Sequence, residues 1–380
     1  MIHKKYFCYE IYKNLAVWST ANGRIGYSPC SYFSEYIKET DSIDIAGIWN
    51  SPERAALTNA VENDQPIAGC ARCYQEEANG LVSRRMNSRK QYEIFLEDTN
   101  IDLSGPQGLD YSVGNLCNLK CVICGPHNST SWIPDYQQLY PSRPVHMFKH
   151  RKNEQIILTD AESIKNITVL HLHGGGEPLL SNNHIRLLEL LRDNSSISQL
   201  RVYYNTNGTA RAAQSTIDLW SQCRLIELYF SIDDIGTRFE YQRTGASWNS
   251  VTENLEWYKQ QMPHNHLFNI NCTWGYLNFY YLPELVDWYQ KHFSITRFGD
   301  NINLIFQKAQ GTTSLDYVST ELYKLLEKRF ENYPDLLALL STLTIDDTYQ
   351  HDTFWNEIGK IDAVRNADFR TLCPEWSKLI

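Results

Sequence analysis

The chain has 380 residues, 42% hydrophobic and 21% charged, with a formal net charge of −9. This balance excludes a disordered chain, and the negative charge gives little attraction for nucleic-acid phosphates, so no nucleic-acid partner is expected. Because no run approaches the roughly 20 apolar residues of a membrane span, and the first residues lack a signal peptide's apolar core, we predict a cytoplasmic protein with no membrane partner.

Residues 1–105 contain two short β-like runs, LAVWST and GRIGYS, and then a helical pattern, SPERAALTNAVEND. The basic stretch RRMNSRK, residues 84–90, is interpreted as a solvated helical face rather than as a nucleic-acid site. Gly and Pro in LSGPQG, residues 103–108, indicate a linker after this segment. The first 105 residues are therefore expected to form a separate N-terminal domain.

Over residues 106–310, apolar runs alternate with amphipathic helical stretches such as NNHIRLLELLRDN and WNSVTENLEWYKQQM. The six runs are LDYSVG, ITVLHLH, LRVYYNTNG, LIELYFSIDD, LFNINCTWG and INLIFQKA. Repeated strand–helix units predict an α/β fold with parallel strands and crossover helices, and six of them favour a partial (β/α)6 TIM-type barrel. The chemistry of such barrels lies at the C-terminal ends of the strands. Residues 311–380 are predicted to be a helical C-terminal extension.

The ten cysteines are unevenly distributed, with seven of them before residue 125. In a reducing compartment, clustered cysteines usually indicate metal binding or catalysis. Cys117, Cys121 and Cys124 follow the first predicted barrel strand, without a fourth cysteine nearby. A [4Fe–4S] cluster normally has four thiolate ligands, so three would leave one iron open for a small ligand. The alternatives are a zinc site with a distant fourth ligand, or unrelated buried thiols.

Further polar motifs follow the later strands in order. They are Gly175-Gly176-Glu177 after the second strand, Asn207 after the third, and Ser231 and Asp233 at the end of the fourth, with Arg243 beyond. Together with the three cysteines, this series resembles the signature of the radical S-adenosylmethionine (radical SAM) superfamily over residues 109–309.

The resemblance implies that the three-cysteine [4Fe–4S] cluster binds S-adenosylmethionine (SAM) and splits it into methionine and a 5′-deoxyadenosyl radical, which removes a substrate hydrogen. Gly175 and Gly176 would let the backbone approach SAM, and Glu177 would accept a hydrogen bond from its amine. By the same resemblance, Arg243 and Ser231 would hold the SAM carboxylate, and Asp233 or Asn207 the ribose. The family often has an aromatic residue before the third cysteine, where this chain has Ile123.

The four remaining early cysteines are Cys8, Cys30, Cys70 and Cys73. The segment CARCYQEEANGLVSRR resembles the auxiliary-cluster modules called SPASM and twitch domains, here placed before the barrel. The resemblance implies that residues 1–105 hold a second [4Fe–4S] cluster with four thiolate ligands. A structural zinc site with the same four ligands is the alternative.

Two more cysteines are candidate catalytic residues. Cys272, on the fifth strand, is a possible hydrogen-atom donor, and Cys373 lies in a tail that could cap the active site. His171 and His173 share one face of the second strand, where they either line the substrate cavity or are satisfied core histidines.

The predicted function is that of a radical SAM enzyme acting on a small molecule or a short peptide, by oxidation, rearrangement or cross-linking. Its electrons would come from a flavodoxin or a ferredoxin. The alternative is a non-catalytic iron–sulfur or zinc protein that serves as an electron carrier or scaffold. A carrier would need the thiolates but not Glu177, Ser231, Asp233 or Arg243, so their joint presence favours the enzyme.

Overall fold

The computed structural model describes residues 4–20, 24–78, 80, 82–93, 104–112, 114–145, 148, 162–173, 175–194, 197–261, 265–293 and 303–380. Nine strands, β1 to β9, are Asn14–Ser19, Ile25–Ser28, Lys38–Thr40, Gly108–Ser112, Val169–His173, Arg201–Thr206, Leu225–Ser231, His266–Trp274 and Asn303–Lys308. They form one sheet in the order β3-β2-β1-β4-β5-β6-β7-β8-β9.

Strands β4 to β9 coincide with the six apolar runs, which confirms the predicted α/β class with a parallel sheet and is consistent with a partial TIM-type barrel. The pairs β4–β5, β5–β6 and β8–β9 are parallel. The register aligns Asp110 of β4 with His171 of β5, and His171 with Tyr203 of β6. Because side chains alternate along a strand, residues in register share one face of the sheet.

The N-terminal segment contributes three strands to this same sheet. Strand β1 pairs with β2 in antiparallel fashion and with β4 in parallel fashion, with Asn14 opposite Gly108. Just before β4, the Gln107 N–H donates to the Lys13 carbonyl at 2.8 Å, and Lys13 Nζ donates to Gln107 Oε1 at 2.9 Å. The stretch interpreted as a linker is therefore fixed at Gln107 to Lys13, the residue just before β1.

The α-helices include the three that the sequence pattern predicts most directly, in SPERAALTNAVEND, NNHIRLLELLRDN and WNSVTENLEWYKQQM. The bounds are Tyr9–Lys13, Ile45–Trp49, Pro52–Glu62, Ala71–Ala78, Arg84–Glu93, Ile133–Leu139, Asn183–Asn194, Gln214–Trp220, Gly236–Gln242, Trp248–Gln261, Leu282–Phe293, Thr320–Arg329, Pro334–Leu340, Asp352–Arg365 and Phe369–Leu372. Helix Pro52–Glu62 begins where Ser51 accepts a hydrogen bond from the Arg54 N–H and Pro52 occupies the first turn, a strong start signal.

The interpretation of residues 84–90 as a solvated face is wrong for the first two arginines. The side chains of Arg84 and Arg85 are only 17% and 11% exposed. Arg84 pairs with Glu10 and Asp110, and Arg85 pairs with Glu77. The local pattern does not reveal this burial because most of the partners come from distant parts of the chain.

The chain divides into two compact units. One comprises Met1–Leu116, His146–Tyr204 and Ala212–Glu227, and the other Cys117–Val145, Asn205–Arg211 and Leu228–Ile380. In the first unit, Phe7, Ile11, Val61 and Val169 belong to one buried hydrophobic cluster. In the second unit, Phe239, Phe279, Phe330 and Trp376 are fully buried.

The C-terminal extension is mainly helical, as predicted, with one addition and one correction. Two short strands, Tyr317–Val318 and Thr344–Ile345, form a parallel pair that the sequence pattern does not indicate. The tail is not a flexible cap, because Trp376 is fully buried and its Nε1 donates to the Tyr276 carbonyl at 2.6 Å. Cys373 is buried in this packed tail, and desolvation raises the pKa of its thiol to about 12. No helix within the described ranges is long and apolar enough to cross a membrane.

A buried ion pair joins the last long helix to the helix that follows the three-cysteine loop. Arg365 Nε lies 2.8 Å from Asp135 Oδ2, Lys120 Nζ lies 2.8 Å from Asp135 Oδ1, and Arg365 stacks on the Trp132 ring. Because Arg365→Ala removes one cation from a buried carboxylate, we expect it to lower the free energy of unfolding by about 3–5 kcal/mol. Urea denaturation midpoints measure the effect. Lys360→Ala, which removes an exposed partner of Glu357 on the same helix, should change it by about 0.5 kcal/mol or less.

Candidate functional site

The backbone of the three-cysteine loop is fixed on several sides within the second unit. The Lys120 and Val122 N–H groups donate at 2.9 and 2.8 Å to the carbonyls of Thr244 and Gln242, which lie just beyond and at the end of helix Gly236–Gln242. The Cys117 carbonyl accepts from Ser131 Oγ at 2.8 Å, and the Cys121 carbonyl accepts from Trp132 Nε1 at 2.7 Å. The loop is therefore pre-formed by contacts that do not use its thiols.

The three thiols lie in a partly buried, polar setting. Cys121 is buried, whereas Cys117 and Cys124 are half-buried, and all ten cysteines of the chain are free thiols. A hydrogen bond between the Cys121 and Cys124 thiols raises the pKa of Cys121 and lowers that of Cys124. The Leu119 N–H donates to Cys117 Sγ at 3.4 Å. Such donors stabilise thiolate ligands and tune the potential of an iron–sulfur cluster.

Arg243 is the buried cation beside these thiols. Its Nη1 lies 3.9 Å from Cys121 Sγ, and its Nη2 lies 2.8 Å from Asp233 Oδ2. Burial opposes the charged form, but the charges of Asp233 and Cys121 outweigh it and raise the pKa of Arg243. Within the described part of the chain, the buried Nε of Arg243 has no hydrogen-bond partner. A buried N–H without a partner is costly, and it fits an anionic ligand that binds there.

Asp233 differs from its expected role in one respect. Its Oδ2 contacts Arg243, and its Oδ1 accepts the Thr273 N–H at 2.8 Å. Both carboxylate oxygens thus have protein partners, an arrangement that orients the guanidinium. Ser231 lies half-buried at the end of β7.

Asn207 contacts the first cysteine through a small amide network. Its Nδ2 lies 3.7 Å from Cys117 Sγ and 3.0 Å from Asn118 Oδ1, while its Oδ1 accepts from the Thr209 N–H at 2.9 Å. Asn118 in turn donates to Thr209 Oγ1 at 2.9 Å. Sequence reasoning missed Asn118 and Thr209; their only signal is adjacency to Cys117 and Asn207.

Gly175, Gly176 and Glu177 lie in the first unit, directly after β5. Gly176 has φ +70, and a Cβ there would lie 2.8 Å from the Gly114 carbonyl oxygen, so both conformation and space require glycine. The Glu177 N–H donates to the Leu116 carbonyl at 2.7 Å, and its buried carboxylate accepts from the Leu179 N–H at 3.1 Å. The turn thereby packs its backbone against the chain just before the three-cysteine loop.

The four early cysteines come together in the first unit. Cys8, Cys30, Cys70 and Cys73 all line one small cavity, together with Glu10, Tyr32 and Arg84. Desolvation raises the pKa of each of the four thiols, to about 12 for Cys8 and Cys70. Metal binding must therefore supply the positive charge that would deprotonate them. Among the described residues, no three His, Cys, Asp or Glu side chains are placed to hold a single metal ion.

A network of buried charges adjoins this cavity. Arg84 bonds to Glu10, Ser31 and Asp110, and His171 Nδ1 lies 2.7 Å from Asp110 Oδ1. His171 is thus a hydrogen-bonded histidine of this network, whose ring also lies 4.6 Å from the Tyr203 ring. The side chain of His173 lies outside the described residues.

The other cysteines are buried in their own units. Cys272 of β8 is fully buried, with its Sγ 3.6 Å from the Asp233 carbonyl oxygen and 3.8 Å from Asn278 Nδ2. Burial raises the pKa of its thiol. Cys223, for which the sequence indicates no role, is buried next to the Leu219 carbonyl.

Residues 111–275 match the family model described as Radical SAM superfamily. No curated protein matches the chain. Among solved structures, native anSMEcpe with bound AdoMet is 18% identical, with 63% of this chain and 64% of that chain covered and a TM-score of 0.42. SuiB of Streptococcus suis bound to precursor peptide SuiA is 12% identical, with 93% and 78% covered and a TM-score of 0.37.

The chain spans less than two thirds of the anSMEcpe chain that it matches. The family match, by contrast, covers the three-cysteine loop and every motif from Gly175 to Arg243. Residues 111–275 are therefore similar to a radical SAM domain. Such a domain implies a [4Fe–4S] cluster and SAM as cofactors.

Proposed function

We propose that this enzyme reductively cleaves SAM at a [4Fe–4S] cluster held by Cys117, Cys121 and Cys124, and that it then removes a hydrogen from an organic substrate. The observation that carries the proposal is Arg243, a buried cation beside Cys121 whose Nε–H has no partner among the described residues. When bound, the cluster supplies the electron, and SAM supplies the 5′-deoxyadenosyl radical.

Different side chains of the second unit would bind different parts of SAM. Arg243 would donate its free Nε–H to the SAM carboxylate, with Ser231 as a second donor. Asp233 would act on SAM through Arg243, since both of its oxygens have protein partners. That leaves Asn207 as the stronger of the two candidates for the ribose hydroxyls, and its amide also donates toward Cys117 Sγ.

Residues of the first unit have roles that rest on the family resemblance. Glu177 would accept a hydrogen bond from the SAM amine, and Gly175 and Gly176 would let the backbone approach SAM. The local geometry supports this assignment in two ways. The turn requires glycine at residue 176, and the carboxylate of Glu177 is held by the Leu179 N–H.

Cys8, Cys30, Cys70 and Cys73 would hold a second, auxiliary [4Fe–4S] cluster in a twitch-like N-terminal domain. Four free thiols around one cavity, three of them buried and that of Cys70 half-buried, match the ligand set of such a cluster. Structural zinc is the competing occupant, with four thiolates about 2.3 Å from one ion.

The substrate would be a small molecule or a short peptide, and the outcome an oxidation, a rearrangement or a cross-link. A flavodoxin or a ferredoxin would supply the electrons in the cytoplasm. Cys272 and Cys373 are weaker catalytic candidates than the sequence indicates, because both side chains are buried. Deuterium transfer from candidate substrates into 5′-deoxyadenosine would identify the substrate.

Metal analysis of anaerobically prepared protein tests the two-cluster proposal. We expect about eight irons per chain, and about four after Cys117, Cys121 and Cys124 are all replaced with alanine, because each cubane cluster holds four. The triple variant should also lose all SAM cleavage. About four irons plus one zinc in the unaltered protein would contradict the auxiliary cluster and leave the SAM cluster in place.

A further inference from the structure

Arg84 reaches from the first turn of helix Arg84–Glu93 into the wall of the four-cysteine cavity. Its Nε donates to Glu10 Oε1 at 3.0 Å, its Nη1 to Ser31 Oγ at 2.8 Å, and its Nη2 to Asp110 Oδ2 at 2.9 Å. Three groups from different parts of the chain therefore fix the guanidinium in one position.

Asp110 is the fixed negative charge opposite Arg84. It is fully buried on β4, and its Oδ2 also accepts the N–H of Ser31, the residue after Cys30, at 3.1 Å. His171 contacts its Oδ1. Asp110 thus holds both the guanidinium and the backbone next to one of the four cysteines, although it is not itself one of the lining residues of the cavity.

Each of these two buried charges strongly changes the electrostatic potential around it. Charges interact several times more strongly in a protein interior than in water. The potential of an iron–sulfur cluster depends on nearby charge, hydrogen bonds to its sulfurs and burial. A cation stabilises the form with one more electron, whereas an anion destabilises it.

We propose that Arg84 and Asp110 set the reduction potential of the auxiliary cluster, as positioning residues whose charges act in opposite directions. This inference rests on the auxiliary cluster of the proposed function. Arg84 raises the potential and so favours the reduced cluster, and Asp110 lowers it. Neither residue is a ligand, and neither needs to change its protonation.

The test uses the full chain with both clusters loaded, in the variants Arg84→Met, Arg84→Lys and Asp110→Asn, with redox titration followed by electron paramagnetic resonance. Arg84→Met should lower the auxiliary potential and Asp110→Asn should raise it. Each should change the ratio of reduced to oxidised cluster at a fixed potential at least tenfold, which is 59 mV for one electron. Arg84→Lys keeps the charge and should stay close to the unaltered protein.

Two internal references separate tuning from a structural effect. The cluster of Cys117, Cys121 and Cys124 should keep its potential in all variants. Arg72→Met removes a more exposed cation, paired with Glu76 on the helix of Cys73, and should shift the auxiliary potential much less because solvent screens that charge.

Opposite shifts with eight irons retained support the inference. Shifts in the same direction, or unchanged potentials with eight irons retained, overturn it and leave the auxiliary cluster itself intact. If Arg84→Met loses iron, the other two variants decide. Asp110→Asn must still raise the auxiliary potential, and Arg84→Lys must leave it close to that of the unaltered protein. If the unaltered protein holds only four irons, the auxiliary cluster fails, and this inference with it.

Discussion

Replacing Arg243 with lysine is expected to weaken SAM binding by about tenfold to hundredfold. Lysine keeps the charge beside Cys121 but lacks the Nε–H and the planar fork that would serve Asp233 and the SAM carboxylate together. Losing a hydrogen bond between charged groups costs about 1.5–3 kcal/mol, which gives this range of affinity. Anaerobic titration calorimetry of the iron-loaded protein with SAM measures it.

Arg238→Lys is the matched control for this variant. Arg238 is a partly buried arginine in the same unit that pairs with Asp234, the neighbour of Asp233, and with Glu284. Within the described ranges, none of its ion pairs involves Cys117, Cys121 or Cys124. Its replacement should leave SAM affinity within about twofold. Equal loss of affinity in both variants, or none in Arg243→Lys, would remove Arg243 from the SAM site.

The double replacement Cys70→Ala with Cys73→Ala is expected to abolish substrate turnover while sparing SAM cleavage driven by a strong chemical reductant. Both cysteines line the cavity of the first unit, whereas Cys117, Cys121 and Cys124 belong to the second. The variant should therefore keep about four irons, all of them in the SAM cluster. Iron analysis, 5′-deoxyadenosine release and product formation are measured on one sample.

Cys223→Ala controls for the loss of a buried thiol, because Cys223 Sγ lies 3.7 Å from the Leu219 carbonyl oxygen and Cys223 is not among the described residues that line the four-cysteine cavity. It should keep eight irons and normal turnover. A melting curve for the double variant shows whether the N-terminal residues remain folded, since lost ligation can unfold a metal-dependent region. A folded double variant that still makes product at the normal rate would reduce the auxiliary site to a structural role.

Much of the fold could be predicted from sequence because its strands are short apolar runs with distinct ends. All five residues of β4 are buried, as expected for a parallel strand covered on both faces. The three-cysteine loop and the motifs from Gly175 to Arg243 follow strands in chain order, so their placement also follows from the pattern. The order and parallel pairing of β4, β5 and β6 could also be predicted, from the repeated strand–helix units.

The sequence could not show which distant charges meet inside the protein. Arg84 looks like one of several surface cations, yet it pairs with carboxylates 74 residues before it and 26 residues after it. Asp110 is an isolated acidic residue within an apolar strand, and only the fold reveals its partners. In the same way, the sequence does not show that both carboxylate oxygens of Asp233 have protein partners, because one of these partners, the Thr273 N–H, belongs to a different strand.

The pairing of β1 with β4 has a consequence for the way the chain folds. A chain shortened to begin at residue 106 would leave the backbone donors and acceptors of one side of β4 open, on a strand whose side chains are all buried. An exposed apolar strand edge is a template for association with other chains. We therefore expect the shortened protein to aggregate, because β1 no longer covers this edge of β4, and this holds whatever the four early cysteines bind.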